Sequence, residues 1–495
     1  MPSRYQSYLH QRYRLITGYT GLMCLVTGLL IQTPLLLLVV FRQESIYLWH
    51  FLLPGAALVV PGALLWRRLI PAGNASLTWQ EGAVIVVVSW LLATVVGAVP
   101  FMTISGLNFT QAIFEATSGW TTTGLSVVDV TEAPRLVLFY RSILQLAGGA
   151  GFAIIMVSAL AGPTGISLSA AEGRTDQLLP HVRRSAQLVL IMYTAYNLAG
   201  IVGLMLAGMD WFDAVNHAFS ALSTGGFSTR VESIGYWDSP LIEAVTIILM
   251  LLGALSFMTA YTLFQGNFKV AARNGEVRQQ ILVALGAIII LLAGVTWGVY
   301  PGPAKAIRVA IFEAVTAFST AGFSTVGYQP WNGLGWLTLI ILMIMGGGAG
   351  STAGGIKQFR IYLLFRGLRW EVQRVFMSAS AVNEPVIWQG ENRLFLNSDH
   401  FSRAGLFVFL HLSILFVGTG ILVAHGYSLP ESLFEFASAL STVGLSVGVT
   451  AADAPGGILW AEIIGMFLGR LEFFVVFVGL TKLSMDLREM VGVSG

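Results

Sequence analysis

Four short turns rich in Ser, Thr and Gly are the residues of this chain best suited to binding a cation. They read TTTGLS (121–126), STGGFS (223–228), STAGFS (319–324) and STVGLS (441–446). Glycine permits backbone angles that turn successive carbonyl oxygens toward one axis, and small Ser and Thr side chains keep that axis open. Because rings of carbonyl oxygens replace the hydration shell of the ion in K⁺ channels, the turns predict binding of a dehydrated monovalent cation.

Each turn follows an apolar stretch that is too short to cross a membrane. These stretches lie near 109–121, 210–223, 307–319 and 429–441. A helix of about 12 residues is roughly 18 Å long, whereas the hydrocarbon of a bilayer is ~30 Å thick. The stretches therefore predict re-entrant half-helices, whose negative C-terminal dipole ends favour a cation at the turns.

A titratable residue precedes each turn glycine by nine positions. These residues are Glu115, His217, Glu313 and Glu435. We expect the three glutamates to begin the half-helices, where a carboxylate meets the positive end of the helix dipole. Helix capping or packing is their simplest role, and a contribution to the potential at the outer mouth is the alternative. We expect His217 to be structural.

The elements that position these turns are long apolar spans. The chain is 55% hydrophobic and 11% charged, whereas soluble domains carry roughly 25% charged residues. Ten full spans are predicted near 15–41, 46–66, 81–103, 137–162, 186–207, 238–264, 279–300, 334–365 (interrupted), 403–424 and 457–485. The predicted fold is an all-α polytopic membrane protein with four pseudo-repeats of span, half-helix, filter loop and span around one pore, preceded by two additional spans.

The predicted units have these boundaries. An N-terminal two-span unit occupies 1–70, and pore repeats 1 and 2 occupy 71–185 and 186–275. Repeat 3, with an intramembrane loop and an inner polar loop, occupies 276–400, and repeat 4 occupies 401–495.

The distribution of Lys and Arg predicts a cytoplasmic N-terminus. If the short stretches do not cross, most basic residues fall in inner loops, as the positive-inside rule requires. The outer side then holds Arg42, Arg135, Arg141, Arg230, Lys305 and Arg308. A net charge of +2 gives no reason to expect nucleic-acid binding, and the single cysteine, Cys24, excludes an intramolecular disulfide and a cysteine metal cluster.

Two further features are expected to lie beneath the turns. The segment GGGAGSTAGG (346–355) interrupts a span, and so many glycines disfavour helix by ~1 kcal/mol each. Non-helical backbone at membrane depth must line water or protein, which predicts a mobile loop, or alternatively a fixed packing break. Arg470 lies within a predicted span, too far from its end to reach the inner surface, so it is expected to face the pore as an electrostatic barrier. Pairing with a carboxylate of another span is the alternative.

These motifs resemble the Trk/Ktr/HKT potassium transporter superfamily and are most similar to its bacterial TrkH-type pore-forming subunits. The resemblance covers nearly the whole chain and rests on the four turns, on GGGAGSTAGGIK (346–357) and on GRLE (469–472). The two additional N-terminal spans also resemble the TrkH type. Some plant members carry serine at the first filter glycine and favour Na⁺, whereas this chain has Gly124. The resemblance thus implies that K⁺ is the transported ion, with no covalently bound cofactor.

The resemblance also implies which residues act. The implied K⁺-binding filter comprises Thr122, Thr123, Gly124, Thr224, Gly225, Gly226, Thr320, Ala321, Gly322, Thr442, Val443 and Gly444. The implied gate comprises Gly346, Gly347, Gly348, Gly350, Ser351, Thr352, Gly354, Gly355 and Arg470. The implied setting is the bacterial inner membrane, with membrane lipid around a homodimer that binds a cytosolic nucleotide-binding regulatory ring of the TrkA-like kind.

Three other functions are alternatives to K⁺ uptake. A Na⁺-permeable member of the same superfamily stays open. A secondary transporter of another small solute is disfavoured because such proteins usually carry two inverted repeats, whereas these four run in one orientation. A membrane-embedded enzyme is disfavoured because the chain has no HExxH, GxSxG or paired intramembrane aspartates.

Overall fold

Long apolar helices form the frame of the protein. The computed structural model describes residues 4–70, 77–149, 182–377, 386–389, 392–396 and 398–491. Within these ranges, six helices are long and apolar enough to cross a membrane, and two bent helix pairs raise the number to eight. The six are Gln6–Val39, Arg42–Leu69, Trp79–Ile104, Gln187–Leu206, Gly275–Val299 and Ser398–Ala424. The remaining part of the predicted span 137–162, beyond Gly149, lies outside the described residues.

The elements follow one another along the chain with short connections. The N-terminal part contains helices Arg4–Gln32, Thr33–Val39, Arg42–Tyr47, Leu48–Leu69, Trp79–Gly97, Val99–Ile104, Phe109–Trp120 and Arg135–Gly149. The middle contains Val182–Leu206, Trp211–Leu222, Ser233–Tyr236, Pro240–Ala254, Phe257–Phe264, Phe268–Arg273, Gly275–Leu291, Leu292–Thr296, Trp297–Val299, Pro303–Ser319 and Gly333–Ile344. The C-terminal part contains Gln358–Val375, Ser398–Ala424, Leu429–Leu440, Gly456–Arg470 and Phe474–Val491.

Four short buried helices each end at one of the Ser/Thr-Gly turns. They are Phe109–Trp120, Trp211–Leu222, Pro303–Ser319 and Leu429–Leu440, hereafter half-helices 1 to 4. Half-helices 1 and 4 begin with capping boxes at Asn108 and Ser428, and Asp210 caps half-helix 2. Half-helix 3 begins earlier than predicted, at Pro303, because proline is favourable in the first helical turn.

Two spans that were predicted to be continuous are broken. Pro240–Ala254 and Phe257–Phe264 meet at 119°, and Gly456–Arg470 and Phe474–Met490 meet at 99°. Ser256 caps the second helix of the first pair by accepting a hydrogen bond from the backbone N–H of Thr259 at 3.1 Å. At the second break, Glu472 and Phe473 adopt φ values of +56° and +41°, which end the helix.

The predicted helical membrane class is confirmed, and one small sheet is added to it. Val386–Gln389 pairs antiparallel with Asn392–Phe395, so Val386 lies opposite Phe395. The hairpin lies in the predicted inner polar loop. Ile387 is buried against Leu363 of the preceding helix, and Arg366 donates a hydrogen bond to the carbonyl of Val386 at 3.0 Å.

The two ends of the chain meet at the first repeat. The hydroxyl of Tyr13 donates a hydrogen bond to Asp486 at 2.9 Å, and Arg12 pairs with Glu81. Gly479 of the last helix lies so near Ala83 that an added Cβ would be 3.0 Å from its carbonyl oxygen. Helix packing in membranes relies on such small residues, and here the small residue lets the last helix pack directly on Trp79–Gly97.

Candidate functional site

The four turns share one backbone conformation. The threonines at the second position of the turns, Thr122, Thr224, Thr320 and Thr442, have φ values of +56°, +53°, +54° and +51°. Positive φ is rare for a β-branched residue and costs about 1–3 kcal/mol. The turn glycines Gly124, Gly226, Gly322 and Gly444 follow at +98°, +76°, +77° and +98°. Because the same uncommon geometry occurs four times, the surrounding protein must impose it in each repeat.

The turn glycines contact one another's repeats in a closed cycle. A Cβ built at Gly124 would lie 2.2 Å from the carbonyl oxygen of Gly225, and one at Gly226 would lie 2.5 Å from that of Ala321. The same construction at Gly322 meets the carbonyl of Val443 at 1.9 Å, and at Gly444 that of Thr123 at 2.1 Å. Each glycine thus abuts the carbonyl of the next turn, and the fourth returns to the first. We call these eight residues the glycine–carbonyl ring.

The prediction that the glutamates begin the half-helices is wrong. The glutamates lie within the half-helices and accept hydrogen bonds from the last residue of the turn or from the segment that follows it. Glu115 accepts from the hydroxyl of Ser126 at 3.0 Å and from the backbone N–H of Val127 at 3.0 Å. These hydrogen bonds hold the turn in its strained conformation.

The glutamates of the third and fourth repeats form the same kind of clamp. Glu313 accepts from the N–H of Thr325 at 2.8 Å and from the hydroxyl of Tyr328 at 2.6 Å. Glu435 accepts from the hydroxyl of Ser446 at 2.6 Å and from the N–H of Val447 at 3.0 Å. All three glutamates are fully buried, so the clamp is shielded from water.

The second repeat divides the clamp between two residues. His217 bonds to Ser228 through Nε2 at 2.9 Å and to the carbonyl of Asp213 through Nδ1 at 2.8 Å. Asp213 accepts from the hydroxyl of Thr229 at 2.6 Å and from Arg230 at 2.6 Å. The hydrogen bond to Asp213 raises the pKa of Arg230, which lies in the loop after the turn. His217 therefore supports the turn structurally.

Arg141 links the first two turns and was missed by sequence reasoning. It lies within the helix Arg135–Gly149, inside the predicted span 137–162, with 2% of its surface exposed. It donates to Glu115 at 2.7 Å, to Ser126 at 2.8 Å and to the carbonyl of Ser228 at 3.0 Å. Its guanidinium also lies 3.9 Å from the ring centre of Phe227. The signal available in the sequence was a charged residue, seven positions before Gly148, inside the predicted span 137–162.

The glycine-rich loop lies directly against the turns. Its Thr352 hydroxyl lies 3.1 Å from the Thr224 hydroxyl and donates to the carbonyl of Gly253 at 2.9 Å. The N–H of Gly354 donates to the Thr320 hydroxyl at 2.8 Å. A Cβ at Gly354 would lie 2.1 Å from the hydroxyl oxygen of Thr442. The loop therefore touches the positive-φ threonines of turns 2, 3 and 4.

A glycine in the span after each turn shows why the third repeat differs. Gly148, Gly253 and Gly469 each pack against a carbonyl at the end of their own half-helix, from Trp120, Leu222 and Leu440 respectively. Gly346 instead packs against the carbonyl of Gly354, inside the glycine-rich loop. In this repeat the loop occupies the side of the turn that a helix occupies in the others.

Arg470 is the last residue of the helix Gly456–Arg470 and lies at the break of the bent helix pair that continues with Phe474–Met490. It donates to the carbonyl of Thr352 at 2.6 Å and to that of Gly148 at 2.6 Å. It thus connects the glycine-rich loop to the first repeat. The neighbouring Glu472 pairs with Arg360 instead.

A cavity of about 680 Å³ opens on the opposite side of the turns from the glycine-rich loop. All four turn glycines line it, together with Ser126, Ser228, Arg141 and Tyr328. In the part of the chain that the structure describes, no group of three or more His, Cys, Asp or Glu residues could hold a metal ion. Coordination at this site would depend on backbone and hydroxyl oxygens.

A polytopic helical protein in which four short buried helices end at a closed cycle of contacts between glycines and backbone carbonyls has the construction of an ion-transport protein. The TrkH family model, described as a cation transport protein, matches residues 50–486. The chain belongs to this family, which confirms the resemblance to TrkH-type proteins and places the chain among transport proteins rather than enzymes.

Individual relatives are similar over nearly their whole length. The chain is 31% identical over 484 residues to the Trk system potassium uptake protein TrkG of Escherichia coli, covering 94% of this chain and 97% of that protein. It is 31% identical over 488 residues to the potassium uptake protein TrkH of Escherichia coli, covering 94% and 98%. The crystal structure of the potassium transporter TrkH from Vibrio parahaemolyticus matches with a TM-score of 0.80 at 28% identity, covering 94% of this chain and 98% of that one.

Proposed function

We propose that this protein takes up K⁺ across the bacterial inner membrane through a pore on the axis of the glycine–carbonyl ring. The observation that carries the proposal is the closed cycle of contacts, because a cycle of four turns surrounds an axis toward which carbonyl oxygens can be directed. The potassium uptake proteins among the relatives support K⁺ as the ion.

The proposed K⁺ ligands are the residues of the four turns. The positive φ of their threonines and glycines would direct consecutive carbonyls to one side, and the buried glutamates would hold the turns there without supplying a charge to the axis. The proposed ligands are Thr122, Thr123, Gly124, Thr224, Gly225, Gly226, Thr320, Ala321, Gly322, Thr442, Val443 and Gly444.

The proposed gate lies on the other side of the turns from the cavity. The glycine-rich loop touches the threonines of three turns, and Arg470 brings a positive charge to the same loop. A cation leaving the turns would meet both, so loop and arginine together would oppose conduction. The proposed gate residues are Gly346, Gly347, Gly348, Gly350, Ser351, Thr352, Gly354, Gly355 and Arg470.

The proposed assembly has its N-terminus in the cytoplasm and the cavity facing outward. We propose a homodimer bound to a TrkA-like cytosolic nucleotide-binding ring. Each protomer would comprise the five units 1–70, 71–185, 186–275, 276–400 and 401–495. The naming of two relatives as parts of a Trk system supports a multi-component assembly.

Uptake of K⁺ or ⁸⁶Rb⁺ against Na⁺, in a host without its own K⁺ uptake systems, tests this function. We expect the chain to restore K⁺ uptake. We expect Gly124→Ala to lower uptake roughly five- to hundred-fold, because a Cβ against the Gly225 carbonyl adds about 1–3 kcal/mol of strain.

Gly426→Ala is the matched control. Gly426 has φ +100°, close to the +98° of Gly124, but a Cβ there meets no atom within 4 Å. Equal losses from the two substitutions would assign the effect to backbone strain and reject the ring. Failure of the unmodified chain to move either ion would reject the pore, and preferential Na⁺ uptake would favour the Na⁺-permeable alternative.

A further inference from the structure

Glu276 joins one point within the glycine-rich loop and one point just after it to the helix Gly275–Leu291. It lies in the first turn of Gly275–Leu291 and is 7% exposed. Its Oε1 accepts hydrogen bonds from the backbone N–H of Ala349, within the loop, at 2.7 Å and from that of Phe359, just after the loop, at 3.1 Å. One carboxylate oxygen therefore holds together two points of the chain that flank most of the loop.

The helix after the loop depends on this carboxylate for its N-terminal cap. Lys357, the N-cap residue of Gln358–Val375, makes no side-chain capping bond. The first N–H groups of a helix need acceptors, and a carboxylate is favoured there by the helix dipole. Glu276 supplies the acceptor from another helix, so the start of Gln358–Val375 and the loop are fixed by the same group.

The first turns of Gly275–Leu291 also pack closely on the same segment. A Cβ at Gly348 would lie 3.1 Å from the side-chain nitrogen Nε2 of Gln280, which is one helical turn after Glu276. A Cβ at Gly275 would lie 2.4 Å from the Tyr362 hydroxyl oxygen, so this glycine lets the two helices approach. Glu276 is thereby kept at a fixed distance from Ala349.

The loop is thus held on two opposite sides. Thr352 and Gly354 contact threonines of the turns, while Ala349 is bonded to Glu276. The N–H of Gly354 meets a neutral hydroxyl of the turns, whereas the N–H groups of Ala349 and Phe359 bond to a carboxylate. Arg470 adds a second charged attachment by donating to the carbonyl of Thr352 at 2.6 Å. Charge-assisted hydrogen bonds are about twice as strong as neutral ones, so Glu276 holds the loop more strongly than the bond between Gly354 and Thr320 does.

We infer that Glu276 is a positioning residue that latches the glycine-rich loop across the ion path and so sets how often the path opens. This inference rests on the proposed function, in which the loop obstructs conduction. The latch requires no change at the ion ligands, because Glu276 bonds to the loop on the side away from the turns. Loss of the latch should therefore raise the rate of transport and leave ion preference unchanged.

Two measurements on the full chain in proteoliposomes test the latch. We expect Glu276→Ala to increase ⁸⁶Rb⁺ flux about ten-fold, and Glu276→Gln to increase it less, because the amide oxygen still accepts both N–H groups. In a Cys24→Ser, Ser351→Cys background, Glu276→Ala should also speed modification of the introduced thiol by a soluble maleimide about ten-fold, since Ser351 is 3% exposed in the latched loop.

Glu431→Ala is the matched control, because Glu431 also accepts a backbone N–H at a helix start, that of Ser428 at 3.1 Å, but on half-helix 4. It should not increase either rate. A general loss of folding would lower flux and yield rather than raise flux.

The outcomes separate the latch from the proposed function. If the unmodified chain transports K⁺ and Gly124→Ala lowers transport as expected, but Glu276→Ala changes neither flux nor thiol modification, the latch is overturned and the function stands. Faster modification with unchanged flux would also overturn the latch as a control of transport. Absence of transport by the unmodified chain would instead refute the function.

Discussion

The first and fourth repeats hold the same turn geometry with opposite charges. Glu115 and Glu435 occupy matching positions and clamp the segment after their turns in the same way. Seven residues before the span glycine of each repeat stands Arg141 in the first and Glu462 in the fourth. Arg141 forms an ion pair with Glu115, whereas Glu462 shares Thr450 with Glu435.

This difference separates what shapes the turn from what neutralises the clamp. In the fourth repeat, the hydroxyl of Thr450 lies 3.1 Å from both carboxylate oxygens of Glu462, while its N–H donates to Glu435 at 3.0 Å. The turns nevertheless have nearly equal φ values, +56° at Thr122 and +51° at Thr442. The turn geometry is therefore independent of the side chain that faces the glutamate, and that partner changes the energetic cost of burying the glutamate.

Breaking the ion pair of the first repeat should have the largest effect. We expect Arg141→Gln to destabilise the protein by about 3–5 kcal/mol, because Glu115 would be left buried without its guanidinium. The apparent unfolding temperature of the purified protein in detergent measures this loss. Arg230→Gln serves as control, since the Arg230 side chain is 39% exposed and its pair with Asp213 should contribute less than about 1 kcal/mol. Equal shifts for both variants would show that burial of the first pair has no special cost.

Glu435→Gln should have an intermediate effect. The amide retains one acceptor oxygen but presents an NH₂ group toward the donors of the following loop, which we expect to cost about 1–2 kcal/mol. Removing the repulsion from Glu462 offsets part of this loss. Thermal unfolding beside the matched variant Glu115→Gln gives the comparison. A larger loss in the fourth repeat than in the first would mean that partner charge does not decide the cost.

Glu462→Gln should have the smallest effect. The amide oxygen can still accept the Thr450 hydroxyl, so we expect a change below about 1 kcal/mol in either direction. Unfolding temperature and ⁸⁶Rb⁺ uptake should both stay near those of the unmodified chain. A loss comparable to that of Arg141→Gln would indicate that the fourth repeat needs a charged group at this position.

Local features of the site were predictable, and contacts between repeats were not. Each turn and each short apolar stretch is a run of consecutive residues, so the half-helices could be predicted from local sequence. The membrane class could be predicted from the apolar composition. The glutamates were misplaced because their spacing from the glycine shows helix register but not where the helix starts. The capping patterns N-x-x-Q at Asn108 and S-x-x-E at Ser428 could have shown the start.

The span breaks have little local signal, apart from the N-cap residue Ser256 at the first of them. Neither Leu255–Ser256 nor the segment Leu471–Phe473 contains glycine or proline, which usually mark a kink. The positive φ of Glu472 accompanies an ion pair with Arg360, a residue of another repeat. Such a break depends on the assembled fold, and a single sequence read along its length does not reveal it.

The glycine–carbonyl ring has a consequence for how this sequence can change over evolutionary time. In an open row of contacts, the end members have a free side and can accept larger residues. A cycle has no end member, so each of the four glycines is constrained by the carbonyl of a neighbouring turn. The four copies can therefore diverge around the ring, even to opposite charges at Arg141 and Glu462, while their turns must remain alike.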